Sequence, residues 1–259
     1  MVINRIMITQ DAVKKLAIQY RTSEFPNTVR EYFQHLFLSQ LYRLEKSDNL
    51  LFKGGTALRI IYGSPRFSED LDFSIFRVEQ YIQKKFIEDL FATVLVEIEN
   101  TGIKVELGPK PGRTAEGYYG DATFHIYDYQ PISVSINISA RNGRDIKGEI
   151  DSVANDFVPT YNVFHLPQEL LVDEKIFDAL LTRWKTRDFY DLYFIMRKGI
   201  LSSGQKVQLN EKKDEIIKSS EKIDFDAELS VFLPQDQQVI IRDFKRNLVN
   251  ELNRQLSGM

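Results

Sequence analysis

The chain has 259 residues, 43% of them hydrophobic and 12% aromatic, which is enough apolar material for one large domain or two modest ones with packed cores. It contains no cysteine, which excludes disulfides, thiolate metal sites and cysteine nucleophiles together and fits a reducing compartment. Its 34 basic and 37 acidic residues leave a net charge of -3, so no global field attracts a polyanion, and any nucleic acid must bind locally. The amino terminus lacks the apolar run of a signal peptide, and no stretch approaches the roughly 20 apolar residues of a membrane span; a cytoplasmic protein is expected.

In chain order, residues 26–46 place Val29, Tyr32, Phe33, Leu36, Phe37 and Leu41 three or four apart, with Pro26 suited to a first turn, and predict an amphipathic helix. The apolar run 50–52 meets Gly54 and Gly55, after which 56–62 reads as a short helix. Alternation in LDFSIF predicts a strand over 71–76, and 78–100 reads as a helix ending before Gly102. Strands are expected near 103–107, 121–129 and 132–139. In the last of these Ile132, Val134, Ile136 and Ile138 share one face, and Ser133, Ser135, Asn137 and Ser139 share the other.

Residues 113–120 and 141–148 read as loops. Beyond Pro167 helical periodicity takes over, at 168–184, 188–198, about 210–220 and 234–256. An α+β fold follows, a mixed sheet flanked by helices over residues 1–160 and a helical domain over 161–259, with a boundary around 150–166. A ligand is expected in the cleft that such a division creates.

The stretch that carries chemistry is KGGTALRIIYGSPRFSEDLDFS, residues 53–74. Asp70 and Asp72 are two apart at the start of a predicted strand, so their carboxylates project to the same side. Two adjacent carboxylates repel, and a divalent cation between them reverses the sign of that energy. Magnesium suits them, because it takes hard oxygen ligands and keeps positions open for water and phosphates. Gly54-Gly55 leads into a helix whose free amide groups can receive a phosphate, Gly63-Ser64 adds a flexible turn with a hydroxyl, and Arg66 can pair with phosphate oxygens.

GGT at 54–56 and DLD at 70–72 resemble the opening signature of the polymerase-beta-like nucleotidyltransferases. The whole stretch, followed in order by DEKIFDALLTRWKTRDFYDLYFI at 173–195, resembles more closely the AbiEii/AbiGii toxin family, from about residue 50 to 197. The resemblance implies a nucleotidyltransferase-like fold and transfer of a nucleoside monophosphate from a nucleoside triphosphate to an acceptor, best guessed as the tRNA 3' end, with a cognate antitoxin as partner. It also implies that Asp70 and Asp72 hold Mg2+, that Gly63 and Ser64 contact the nucleotide phosphates with Gly54, Gly55, Thr56 and Arg66 nearby, that Lys175 binds the triphosphate, and that Asp191, with Asp188, completes the site.

Read without the family, Lys175 is a surface lysine paired with Glu174 or Asp178, and Asp188 and Asp191 are a cap and a first-turn acid of one helix. Many polymerase-beta-like enzymes place a third carboxylate on a later strand. Here that strand offers Ser135 and Asn137, leaving Asn137, Glu69 or Asp191 to compensate. His35, His125 and His165 share no spacing and support neither a zinc site nor a serine-histidine triad. Trp184, Tyr118 and Tyr119 either pack or stack on a base. Arg141, Arg144 and Lys147, then Arg183, Lys185, Arg187, Arg197 and Lys198, are either solvated faces or two patches for RNA. The competing functions are transfer to a protein or small-molecule acceptor, and a non-catalytic interaction module on the same fold.

Overall fold

A computed structural model describes residues 7–108, 112–114, 117–140 and 146–257. The chain divides into two units, Met1–Tyr62 with Phe67–Leu166 and Gly63–Arg66 with Pro167–Met259.

The first unit is built on a sheet. Helix α1 (Gln10–Gln19) starts at Thr9, whose hydroxyl accepts from the Ala12 amide at 3.2 Å. A π-helical turn, Glu24–Thr28, leads into α2 (Val29–Leu41), the helix expected over 26–46 in shorter form. Strand β1 (Leu50–Lys53) turns directly into α3 (Gly54–Ile60), and β2 (Leu71–Ile75) is followed by α4 (Gln83–Glu99). Then come β3 (Lys104–Leu107), β4 (Gly112–Thr114), β5 (Gly117–His125), β6 (Ile132–Ala140), β7 (Glu149–Val153) and β8 (Tyr161–His165).

Among the described residues the strands form one sheet in the order β3-β5-β6-β2-β1-β8-β7, with β4 paired to β5. The β2–β6 and β1–β8 pairs are parallel and the others antiparallel. The alternation read in β6 holds: Ile132, Val134, Ile136 and Ile138 are buried, and the serines and Asn137 turn to the other face. Helices α2 and α4 cover the apolar face. Phe33 stacks on Phe124 of β5 with centroids 4.3 Å apart, and Phe37 meets Phe91 edge-on at 5.5 Å.

Two expectations change here. Most of the loop expected over 113–120 belongs to the paired strands β4 and β5, and β6 runs so close to Gly117 that a Cβ there would lie 1.8 Å from the Ile138 carbonyl oxygen. The segment expected to link two domains holds the β7–β8 hairpin, because Tyr161, Val163 and His165 point into the core and Tyr42 of the α2 terminus donates to the Phe164 carbonyl at 2.8 Å.

The second unit is helical. Helix α5 (Gln168–Asp173) continues through a π-helical stretch, Glu174–Leu180, into α6 (Leu181–Arg183) and stops at Trp184, whose φ is 51°. Helix α7 (Thr186–Lys198) ends on Gly199 in the left-handed region. Helix α8 (Ser203–Ser220) starts from a capping box between Ser202 and Gln205, seven residues before the expected start at 210. Helix α9 (Phe225–Phe232) was not expected from the sequence, and the helix expected over 234–256 divides into α10 (Val239–Arg242) and α11 (Phe244–Leu256). Phe189, Tyr190, Phe225 and Phe244 form the core, with Phe225 and Phe244 centroids 4.7 Å apart. Trp184 packs against Phe189 at 5.9 Å. No helix among the described residues is long and apolar enough to cross a membrane.

Candidate active site

In the sheet unit the glycine turn and the aspartate strand are neighbours. Antiparallel pairing sets Lys53 opposite Asp72, so the turn that follows Lys53 passes beside the Asp72 carboxylate. Gly54 has φ +83°, and a Cβ there would stand 2.1 Å from Asp72 Oδ2; only glycine lets the backbone lie against this carboxylate. Gly55 and Thr56 are buried, and the Thr56 hydroxyl donates to the Asp70 carbonyl at 2.5 Å, which ties the first turn of α3 to the entry of β2. Thr56 thus anchors backbone, a role with no signal in the motif.

Asp70 immediately precedes β2 and Asp72 is its second residue, and both are half-buried. The parallel pairing of β2 and β6 sets Asn137 beside Asp72, and the Asn137 amide donates to Asp72 Oδ1 at 3.1 Å. On the later strand that could have carried a third carboxylate, the side chain beside Asp72 is Asn137. Glu69 pairs with Arg30 at 3.2 Å, and no group of three or more His, Cys, Asp or Glu able to hold a metal gathers among the described residues. The available donor set is two carboxylates and a neutral amide around a glycine cradle. Hard oxygens in that number suit magnesium, which leaves its remaining positions to water and phosphate.

The same face continues outward. Lys53 Nζ donates to Ser139 Oγ at 2.9 Å, and the Ser74 and Ser139 hydroxyls are 3.2 Å apart.

The helical unit holds a second cluster. Gly63 takes φ +78° and the Gly63–Arg66 turn groups with this unit, with Ser64 and Arg66 buried. Arg66 Nε donates to Asp191 Oδ1 at 2.9 Å and Nη2 to Asp191 Oδ2 at 3.0 Å, a two-pronged grip on a carboxylate that is 1% exposed. Lys175 Nζ donates to Asp191 Oδ2 at 2.9 Å. Burial pushes the Asp191 carboxyl up, but the charges and hydrogen bonds of Arg66 and Lys175 outweigh it and hold the group below the ordinary aspartate range. Of the three, Lys175, 12% exposed on its side chain, reaches solvent most.

This settles two alternatives read from the sequence. Lys175 is not a surface lysine paired with Glu174 or Asp178; its ammonium partner is Asp191. Asp188 stands in the first turn of α7 rather than at its cap, and Asp191 lies one turn on; both are buried, and the Arg183 guanidinium donates to Asp188 Oδ1 at 2.6 Å. Asp188 Oδ2 is buried with no hydrogen-bond partner among the described residues. Arg66, expected to meet phosphate, holds Asp191 through Nε and Nη2.

The histidines stay apart. His35 bonds Tyr161 at 2.8 Å and burial lowers its pKa to about 4, His165 bonds Asp151 at 3.0 Å, and His125 lies 3.7 Å from Glu106. Of the basic patches, Arg141 and Arg144 lie outside the described residues, and Arg183 is drawn to Asp188.

The family described as nucleotidyl transferase AbiEii toxin of type IV toxin-antitoxin systems matches residues 36–256. No curated protein matches the chain. Among solved structures, a candidate nucleotidyltransferase from H. pylori aligns with a TM-score of 0.61 at 18% identity over 90% of this chain and 95% of that one. JHP933 from Helicobacter pylori aligns with a TM-score of 0.63 at 18% identity over 90% and 92%. Both likenesses concern the fold. The glycine turn against Asp72 and the cation-gripped Asp191 both fall inside the matched span, and the chain belongs to the AbiEii nucleotidyltransferase toxin family.

Proposed function

We propose that this nucleotidyltransferase is magnesium-dependent, transfers a nucleoside monophosphate to the 3' end of tRNA in the cytoplasm, and is restrained by a cognate antitoxin. The observation that carries the metal-dependent reading is the approach of the Gly54 backbone to the Asp72 carboxylate, which a structural aspartate would not need. Asp70 and Asp72 hold the cation, which supplies neutralisation of charge on the triphosphate when bound. In the reaction an acceptor hydroxyl oxygen bonds to the α-phosphorus, the bond from that phosphorus to the bridging oxygen breaks, pyrophosphate leaves, and the hydroxyl proton passes to solvent.

The chain's own groups bind and orient. Lys175 binds the triphosphate, as the member of the Arg66–Asp191–Lys175 cluster that reaches solvent most. Arg66 holds the carboxylate that orients Lys175. Ser64 with Gly63 contacts phosphate, and Asp188 offers its second oxygen to a donor on the nucleotide.

The experiment is incubation with magnesium, each labelled nucleoside triphosphate in turn and total tRNA, beside the Asp70→Ala/Asp72→Ala variant. Label reaching tRNA only with the intact pair supports the full reading. Label on protein or on a small molecule keeps the chemistry and replaces the acceptor, and no transfer at all leaves a binding module. A tRNA acceptor also requires binding that weakens steeply with salt.

A further inference from the structure

Tyr119 stands in a row of polar side chains that crosses three strands. Asp72 of β2 pairs with Asn137 of β6, and Asn137 pairs with Tyr119 of β5, so all three side chains point from the same face of the sheet. With strands about 4.8 Å apart, Tyr119 lies roughly 10 Å from Asp72. A nucleotide covers that distance from its phosphorus to the far edge of its base. The floor between them is made of small side chains, Asn137 with Ser135 and Ser139 on either side along β6.

The ring is fixed although it buries little. Tyr119 is 40% exposed, yet its hydroxyl donates to Asp121 with both carboxylate oxygens at 2.7 Å, and Ser135 Oγ donates to Asp121 Oδ1 at 2.6 Å. Because Asp121 is two residues along the same strand, this tether lays the ring along β5. A carboxylate and a serine spent on immobilising an exposed ring return little packing energy. They do reduce the rotamer entropy that a ligand would otherwise have to remove on binding. Aromatic faces held flat and open beside a phosphate-handling group are the means by which proteins stack nucleobases.

We propose that Tyr119, held by Asp121 and Ser135, is the stacking platform for a nucleobase, supplied either by the nucleoside triphosphate or by the acceptor. The proposal rests on the nucleotidyltransferase reading and adds to it a subsite on the sheet. It gives Asp121 a positioning role, since that carboxylate touches the ring's hydroxyl.

The test measures equilibrium binding of each of the four nucleoside triphosphates with magnesium, and of a short labelled single-stranded ribo-oligonucleotide, to the wild type and to Tyr119→Ala, Tyr119→Trp and Tyr119→Phe, with thermal melting of each. Tyr119→Ala is expected to weaken one class of ligand by about five- to hundredfold, the range of a lost base stack. Tyr119→Trp is expected to restore binding, and Tyr119→Phe, which keeps the ring and loses the tether, to fall between. Weakened triphosphate binding assigns the donor's base, and weakened oligonucleotide binding assigns the acceptor's. A folded Tyr119→Ala that binds both as tightly as the wild type overturns the platform and leaves the transferase reading intact. Failure of the wild type to bind either ligand overturns both.

Discussion

Asp72 and Asp191 bear the same side chain in opposite surroundings. Asp72, on the sheet, is half-buried, accepts one hydrogen bond from the neutral Asn137 amide, and lies against a bare glycine backbone. Asp191, on α7, is sealed from solvent between a guanidinium and an ammonium. A carboxylate enclosed by two cations is already compensated and has little to offer a metal ion, whereas one with a neutral neighbour and open flank does. The resemblance assigns both aspartates to the site, but their surroundings differ: one meets a neutral amide and a glycine backbone, the other a guanidinium and an ammonium.

The comparison breaks most sharply at Asp72. Asp72→Ala should lower nucleotide transfer by about a hundred- to a thousandfold, since it removes one of the two carboxylates that would hold the cation neutralising the phosphates. It should leave the melting temperature at or above that of the wild type, because repulsion with Asp70 is relieved. A variant that fails to fold would make the pair structural. Asp191→Ala should do the reverse in stability. It strands Arg66 and Lys175 in a buried site, at a cost of about 3–5 kcal/mol read by denaturant unfolding.

The pH dependence of that cost has a definite sign. The folded Asp191 carboxyl titrates below its unfolded value, so its stabilisation is present at every pH above about 3.9 and is lost as pH falls through the folded value. The stability gap between the wild type and Asp191→Asn should therefore stay level from neutral pH to about pH 4 and narrow only below it. A gap that narrows between pH 7 and 5 would contradict the charge arrangement.

Much of this was legible in the sequence where the signal was local. LDFSIF and ISVSINIS alternate because one face of the sheet packs into the core, and the glycine just after β1, the strand paired with Asp72, marks a turn that takes positive φ. The β7–β8 hairpin was not legible: β7 reads EIDSV with only Val153 buried, so alternation has no apolar side to display. The grip of Arg66 on Asp191 joins residues 125 apart, and the Asn137–Asp72 bond joins residues 65 apart. Nothing in local spacing encodes either. Tyr119 was read as a loop residue because β5 starts at Gly117, four residues before the expected strand at 121, in a stretch of glycine and tyrosine with no alternation.

A smaller effect sharpens the role of the glycine. Gly54→Ala should cost about 1 kcal/mol or more in stability for the positive φ alone. It should also cost activity out of proportion to stability, because the new methyl must displace the Asp72 carboxylate. Gly63→Ala, with the same sign of φ and open space where its Cβ would sit, should show the stability loss without the clash. A Gly54→Ala variant as active as the wild type, corrected for folding, would remove the Gly54–Asp72 contact from the site.

The subtlest test adds a charge. Asn137→Asp would supply the carboxylate that the sheet lacks beside Asp72. Without magnesium it should lower stability by roughly 1 kcal/mol, since two like charges then face each other where an amide had donated a hydrogen bond. With magnesium the sign should invert, because a third carboxylate strengthens a cation site that two carboxylates and an amide hold weakly. Melting curves with and without the ion read both halves. The same inversion should not occur on mutating Asp188 to Asn, whose carboxylate sits against Arg183. A destabilisation of Asn137→Asp that magnesium does not touch would show that no cation lodges beside Asp72, and would erase the difference between the two aspartates on which the assignment rests.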